Sequence, residues 1–567
     1  MLRIPYGQSD FKGLIEDNYF YQDRTHYIKT LEDFGSKYLL YLRPRRFGKS
    51  LLISTLYYYY GLQFKDQFDK LFGKTYIGKT PTSHAHSYMM LRLDFSGIDT
   101  STEANTLEGF FTNIYLGISE FLSHYDTFFT KEQRDVILSK KQPHTLFKFL
   151  ANYHAMNQIE PKIYIIIDEY DHFANELISF NFAYFSEIVT ENGYVRKFYE
   201  AMKTATGQGS VGRIFITGVS PVTVDSLTSG FNIATNISLS PTFHQMVGFE
   251  ESEVQGILEG IDMPVDQIPT TLEDLKLWYN GYLFSHKAPH SVYNPNMVLY
   301  FALGYTENQA YPDQMLDVNI ASDYGKIQKL FSIQGKEEEY LDVLRDLLEN
   351  GEVTTTLTAQ YSFSRDFTRD DLVSLLFYMG FLTLKEVHLS RYTFVFPNYV
   401  IKKLYADYFF YSILNKSRLL FDNRPLNDAI ETMAETGNPK AFFSQVAMII
   451  QYFSSRDTVH FNENTLKAII ISLLHQQNFY YIHSEYETNW TYMDVYLEAI
   501  RGQKPTYEVA MELKYTKKGK KSATSLFKEA ATQLTQYLET PKFNTRTNIK
   551  SFCVVVVGDK LEWRELK

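Results

Sequence analysis

The segment YLLYLRPRRFGKS, Tyr38–Ser50, constrains this 567-residue chain more than any other. An apolar run of strand length, Tyr38–Leu42, feeds a loop ending in Gly48-Lys49-Ser50. An apolar helical stretch, Leu51-Leu52-Ile53-Ser54-Thr55-Leu56, follows at once. Strand, loop and helix in that order bring backbone N–H groups and a helix N-terminus to where they can hold phosphate oxygens. In that setting Lys49 would reach the terminal phosphates of a nucleotide and Ser50 would ligate Mg2+. One position departs from the usual G-x-x-x-x-G-K-S spacing: position 43, where the first glycine belongs, is arginine.

A second segment, Lys162–Asp171 (KIYIIIDEYD), supplies what such a loop needs. Its unbroken apolar run predicts a strand buried on both faces, as in parallel sheets. The two carboxylates at its C-terminal end stand where ligands bind such sheets. Asp168 would hold Mg2+ and Glu169 would orient and deprotonate the attacking water. A third strand, Arg213–Ser220 (RIFITGVS), ends in Thr217, a polar group able to contact the terminal phosphate or the water. A fourth, Met89–Phe95, lies between the first two in sequence, and residues from Thr106 to Asn157 are helical in pattern. Alternating strands and helices predict an α/β layered core.

The tail carries a different pattern. In Tyr507–Tyr515 (YEVAMELKY), Glu512 and Lys514 are two apart and share one strand face, with Leu513 on the other. A charged pair on an apolar strand is costly unless that face is a site. Asp494, on a neighbouring apolar stretch, would complete an acid–acid–lysine cluster, with Glu485 on the strand before it. Two carboxylates can hold Mg2+ or Mn2+, and a lysine can position the water that the metal activates. Between strand and following helix lie Lys517, Lys518, Lys520 and Lys521, a basic loop able to track a phosphate backbone. From Lys440 onward the chain holds 17 basic and 13 acidic residues, although its overall charge is −10. That asymmetry points to the tail as the part that meets a polyanion, with ordinary scatter between domains as the plainer reading.

The single cysteine, Cys553, excludes an internal disulfide framework and a cysteine-rich zinc site. No apolar run approaches the roughly 20 residues that span a bilayer, and the N-terminus lacks a signal peptide's apolar core. The expectation is a cytoplasmic protein with no membrane partner.

Together these motifs resemble a bacterial AAA-ATPase-like family whose members often end in a PD-(D/E)XK nuclease-like domain. The loop Arg43–Ser50 is similar to that family's Arg-Pro-Arg-Arg-Phe-Gly-Lys-Ser, so the resemblance makes Arg43 a family trait. It implies nucleotide contacts for Arg45, Arg46, Phe47, Gly48, Lys49, Ser50, Asp168 and Thr217. It adds Asp23, from a tyrosine-rich lead-in matched by Tyr21–Thr25. Ile167–Asp171, Thr217–Ser220, Ser229–Asn232, Trp278–Tyr282 and Tyr293–Pro295 follow in the family's order. On the residues alone, the last two read as turns that pack rings against a core. Asp494, Glu512 and Lys514, followed by Gln533 and Tyr537 on a helix, resemble the PD-(D/E)XK pattern. Thr491-Tyr492-Met493-Asp494 departs from the family's Gly-Arg-x-Asp; this spares metal ligation and removes a substrate-contacting arginine.

The expected fold is α/β. A P-loop NTPase core with a parallel sheet would span 1–250, with a helical lid at 251–330 and a winged-helix-like connector at 331–420. A hinge at Asn423–Asn438 would lead into a restriction-endonuclease-like domain at 440–567. The expected function is ATP binding and hydrolysis coupled to a metal-dependent DNA nuclease, in defence or mobile-element processing. The cofactors would be ATP and Mg2+, with Mn2+ as a substitute at the nuclease site, and assembly into a homo-oligomer stays open. The alternative is a nucleotide-operated switch or scaffold whose tail binds without cleaving.

Overall fold

The structure is a computed structural model. It describes residues 2–190, 192–222, 232–317, 330–331, 337–361, 366–417, 423–454, 461–488, 491–500, 505–541, 543 and 546–566. The chain forms two compact units. One comprises Met1–Tyr340 and Val353–Tyr399; the other comprises Leu341–Glu352 and Val400–Lys567.

The first unit is built on five parallel strands: β1 (Tyr38–Leu42), β2 (Met89–Asp94), β3 (Ile163–Asp168), β4 (Val211–Gly218) and β5 (Thr235–Asn236), in the order β2-β3-β4-β1-β5. All six residues of β3 are buried, as its continuous apolar run predicts. Because β1, β4 and β3 are parallel neighbours, the turns leaving all three strands open at one edge of the sheet. The helix Lys49–Tyr60 has nine of its twelve residues buried, so it runs through the core and fixes the loop before it. Helices Glu103–His124, Lys131–Leu138 and Pro143–Met156 fill the expected helical stretch. Helices Glu251–Gly260, Ile268–Tyr279 and Pro295–Asn308 follow the sheet. A smaller sheet of β6 (Glu352–Thr355), β7 (Thr383–His388) and β8 (Arg391–Val395) has the order β6-β8-β7; β6 precedes the helix Arg369–Tyr378, and the β7–β8 hairpin follows it. Helix then hairpin is the order the sequence predicts there.

The second unit holds a mixed sheet of β9 (Tyr480–Thr488), β10 (Thr491–Ala499), β11 (Glu508–Thr516), β12 (Ile549–Val557) and β13 (Lys560–Glu565), in the order β13-β12-β11-β10-β9. β11 and β12 are parallel, joined by the helix Ala523–Leu538, and the other pairs are antiparallel. Val509, Met511 and Leu513 of β11 enter one core with helices Asn423–Thr436, Lys440–Ser454 and Glu463–Leu474. Ala510 enters the other core, with the helix Ala523–Leu538. Strand alternation then puts Glu512 and Lys514 on Ala510's face. Both units are α/β.

The expected hinge at Asn423–Asn438 is instead a helix over Asn423–Thr436. Leu426, Ala429, Ile430 and Met433 recur at helical spacing and are buried. Pro425 falls in the first turn, where no N–H is needed, and Gly437 closes the helix at φ +70°. Ser229, Gly230 and Phe231 of the expected family segment lie outside the described residues.

Candidate functional sites

In the first unit the loop leaving β1 takes left-handed backbone twice, at Arg46 (φ +63°) and Gly48 (φ +93°). Glycine tolerates this freely, whereas Arg46 holds it against about 1–2 kcal/mol. Lys49 is 4% exposed, and its Nζ donates to the carbonyls of Arg43 (3.0 Å) and Pro44 (2.9 Å). Burial lowers its pKa, against the pull of Glu169, Asp168 and Asp171. Asp168 is 2% exposed and accepts hydrogen bonds from the Thr217 hydroxyl (2.6 Å) and the Glu169 N–H (3.1 Å). Burial raises its pKa, opposed by hydrogen bonds from Ser50 and Thr217. A buried carboxylate bonded to the Ser50 hydroxyl is a donor set that fits Mg2+, which takes one or two protein oxygens and fills its shell with phosphate and water.

Glu169 adopts φ +48°. Its Oε2 is 3.0 Å from His172 Nδ1, and that same nitrogen is 3.0 Å from an Arg45 Nη. Burial works against the Glu169 charge, but the His172 hydrogen bond with the Lys49 and Arg45 charges outweighs it, bringing the pKa down to about 2. Thr217, expected at the nucleotide, is fully buried and donates to Asp168, so it orients that carboxylate from behind.

The two strand-end motifs lock onto each other. Asp171 is buried and accepts from the N–H groups of Val219 (3.0 Å) and Ser220 (2.7 Å), from the Ser220 hydroxyl (2.9 Å) and from Asn175 (2.7 Å). The Tyr170 hydroxyl donates to the Ser220 carbonyl at 2.7 Å. A Cβ at Gly218 would overlap Asp171 and the Tyr170 ring, so only glycine fits.

A cavity of about 320 Å³ adjoins the loop. Arg46–Ser50 and Glu169 line it, with Gln8, Phe20, Gln22, Phe249 and Asn296 among the residues opposite. Asn294 caps the helix Pro295–Asn308 by accepting from the Asn296 and Met297 N–H groups, so Tyr293-Asn294-Pro295 sets a first helical turn into the wall. Asp23, expected to contact the nucleotide, is engaged elsewhere. It accepts from the Thr25 N–H (2.9 Å) and hydroxyl (2.7 Å) and from the Tyr76 N–H (2.6 Å), and shapes the segment whose neighbours Gln22 and Arg24 line the cavity.

Arg43 is 1% exposed and points away from the loop's mouth. Its guanidinium donates to the carbonyls of Leu42 (2.8 Å), Ser238 (2.8 Å) and Phe243 (3.1 Å), between the rings of Tyr41 and Phe284. Phe47 packs edge-on against Tyr282 at 4.9 Å, and a Cβ at Gly380 would come within 2.6 Å of Pro44. Tyr282, from the Trp278–Tyr282 segment, and Gly380 thus buttress the loop.

In the second unit the ladder between β10 and β11 runs over Val495–Leu497, and Asp494 lies just beyond it. There its side chain accepts the Leu513 N–H at 2.9 Å. Glu512 is 2% exposed; its Oε1 accepts from Lys514 Nζ at 2.9 Å, and its buried Oε2 has no hydrogen-bond partner. Burial, then Asp494, pushes the Glu512 pKa up to about 7. Burial opposes the Lys514 charge, and Glu512, Asp494 and Glu463 more than offset it, so its pKa is raised. Gln533 also has a buried, unbonded Oε1. An orphaned carboxylate oxygen beside a second carboxylate fits a divalent cation. Among the described residues no cluster of three or more His, Cys, Asp or Glu is placed to hold a metal, and Asp494 and Glu512 are the described carboxylates that could hold the ion. The Glu485 side chain lies outside the described ones. Lys517, Lys518, Lys520 and Lys521 are exposed, and Lys520 and Lys521 border a cavity of about 420 Å³ with Lys514 and Glu463. Lys521 pairs with Glu529 at 3.2 Å.

Residues 5–228 match the family model described as a predicted AAA-ATPase, and residues 461–565 match the PD-(D/E)XK nuclease superfamily. The chain carries both domains. A protein of Azotobacter chroococcum mcd 1, described as an uncharacterized protein in the vnfD 5' region, is 25% identical over 455 residues, 77% of this chain and 73% of its own length. A solved structure, the Walker-type ATPase PABY2304 of Pyrococcus abyssi, covers 68% of this chain and 95% of that one at 13% identity and a TM-score of 0.39.

Three further residues of the AAA-ATPase domain stand at its site without having drawn notice in the sequence. Asp171 and Ser220 were visible only as ends of motifs, and His172 follows the acidic pair with no pattern of its own. The i, i+3 spacing of Glu169 and His172 was the one available signal. In the nuclease-superfamily domain the overlooked residue is Glu463, whose Oε2 accepts the Tyr515 N–H at 3.0 Å and whose Oε1 is 3.8 Å from Lys514 Nζ.

Proposed function

We propose that the chain binds and hydrolyses ATP in its first unit, and that this governs a divalent-metal-dependent DNA nuclease in its second. The observation that carries the first half is the meeting of Lys49, Ser50 and Glu169 at one cavity edge, with Asp168 hydrogen-bonded to Ser50. On this reading the loop N–H groups and Lys49 hold the phosphates, and Ser50 and Asp168 hold Mg2+. Glu169 takes the proton of the attacking water. Residues 251–330 would form a lid and 331–420 a connector.

The second half rests on Asp494, the orphaned Glu512 oxygen and Lys514 at one strand edge. Bound there, Mg2+ or Mn2+ would polarise a phosphodiester and supply a hydroxide-like water. Asp494 and Glu512 would hold that ion, Lys514 would position the water or offset developing charge, and the exposed lysines would track the backbone. The chemistry fits a role in defence against foreign DNA or in mobile-element processing.

The test of the first half is nucleotide binding and turnover. Wild type should bind ATP in the presence of Mg2+, Lys49→Ala should lose binding, and Glu169→Gln should bind but not hydrolyse. Equal nucleotide affinity of wild type and Lys49→Ala would remove the reading.

A further inference from the structure

His172 stands at a junction that the loop and strand motifs do not account for. It begins the helix His172–Phe180, directly after the buried Asp171. Its Nδ1 is 3.0 Å from Glu169 Oε2 and 3.0 Å from an Arg45 Nη. On the other side its Nε2 is 3.7 Å from Glu176 Oε1, and Glu176 Oε2 accepts the Thr100 hydroxyl at 2.9 Å. The ring is therefore held from behind by an acid that is itself fixed to the turn after β2. Asp171, locked to β4, fixes where the helix begins.

One ring nitrogen cannot both donate to Glu169 and accept from Arg45, because it carries either a proton or a lone pair. The catalytic carboxylate and a residue of the phosphate loop thus compete for one atom. A γ-phosphate arriving at the loop attracts the Arg45 guanidinium, and the ring nitrogen is left to Glu169. Donation to Oε2 then fixes that oxygen and leaves Oε1 for the water. In the step that follows, Oε1 accepts a water proton, the water oxygen bonds to phosphorus, and the bond from phosphorus to the bridging oxygen breaks as ADP leaves. Glu169 also holds a left-handed backbone, φ +48°, which a free side chain would not fix in direction.

We propose that His172 is a positioning residue for ATP hydrolysis, which aims Glu169 at the water and does so when nucleotide draws Arg45 away. This rests on the ATP-hydrolysis reading above, and the experiment separates the two. Steady-state ATP hydrolysis is measured for the full chain with His172→Ala and His172→Asn, beside wild type and Lys49→Ala. Asparagine keeps a donor where the ring Nδ1–H stood. The expected result is a kcat about tenfold or more lower for His172→Ala with KM within about twofold, and recovery of most of that loss in His172→Asn. The unchanged KM also shows that the variant is folded. A kcat for His172→Ala equal to or above wild type, or an equal loss in both variants, overturns the positioning role and leaves the ATPase reading standing. Wild-type hydrolysis matching that of Lys49→Ala removes both together.

Discussion

Arg43 shows how a residue can sit in a motif and serve something else. In the sequence it looks like a defect in a phosphate loop. In the fold it is a buried cation whose charge is shared among the carbonyls of Leu42, Ser238, Phe243 and His244 and two rings, which explains why a glycine is not needed there. Arg43→Gly, which restores the commoner loop pattern, should destabilise the first unit by about 3 kcal/mol by orphaning buried carbonyls and opening a cavity. Thermal unfolding checks this; an unchanged or raised midpoint contradicts it. Thr217 and Asp23 show the same limit: a polar residue beside a phosphate loop suggests a ligand, and only the fold adds that Thr217 donates to Asp168 and that Asp23 accepts from Thr25 and Tyr76. Glu512 and Lys514 were legible because strand alternation fixes the face a side chain takes, whatever its partners. Burial beside Asp494 raises the Glu512 pKa to about 7 from 4.5. A carboxyl raised by folding favours the folded state at low pH, and that contribution is lost as pH rises through about 7. The metal-free second unit should therefore melt lower at pH 8 than at pH 5. Millimolar Mn2+ should raise its midpoint more at pH 8 than at pH 6, since below 7 the ion must displace a proton. A Mn2+ effect equal at both pH values, or equal in Glu512→Gln, contradicts this.

Among the elements, the phosphate loop is braced from three directions. The helix Lys49–Tyr60 fixes its end, Arg43 anchors its start, and Phe47 and Pro44 rest on Tyr282 and Gly380. Tyr282 belongs to a segment that the sequence explained only as a turn with rings. Gly281 earns its glycine there, since φ is +97° and a Cβ would overlap the Pro397 carbonyl. Replacing Tyr282 with leucine removes the ring under Phe47 and should weaken ATP binding about tenfold, while phenylalanine should leave it within about twofold. Isothermal titration measures both, and equal affinities for leucine and wild type would show the buttress to be dispensable. The strands themselves were read well, because an apolar run bounded by turn residues is a local signal. The segment at Asn423–Asn438 was not: Pro425 and Gly437 drew attention as punctuation, while the spacing of Leu426, Ala429, Ile430 and Met433 carried the helix. Contacts between segments far apart in sequence, such as Arg43 with Ser238, leave no trace in either local pattern.

At the scale of the whole molecule, two units with different sheets carry two different arrangements of carboxylate and lysine. In the first, Lys49 is held by carbonyls and waits beside Asp168 and Glu169; in the second, Lys514 neutralises Glu512 directly. Among the described residues no helix is long and apolar enough to cross a membrane. On the proposed function, nucleotide state in one unit would set cleavage in the other. Plasmid DNA incubated with the full chain and Mg2+ or Mn2+, with and without ATP, tests that claim most directly. The account predicts cleavage that Glu512→Ala and Lys514→Ala abolish and that Lys49→Ala uncouples from ATP. Absence of cleavage under every condition, or cleavage undiminished in Glu512→Ala and Lys514→Ala, would contradict it and leave a nucleotide-operated switch with a non-cleaving tail.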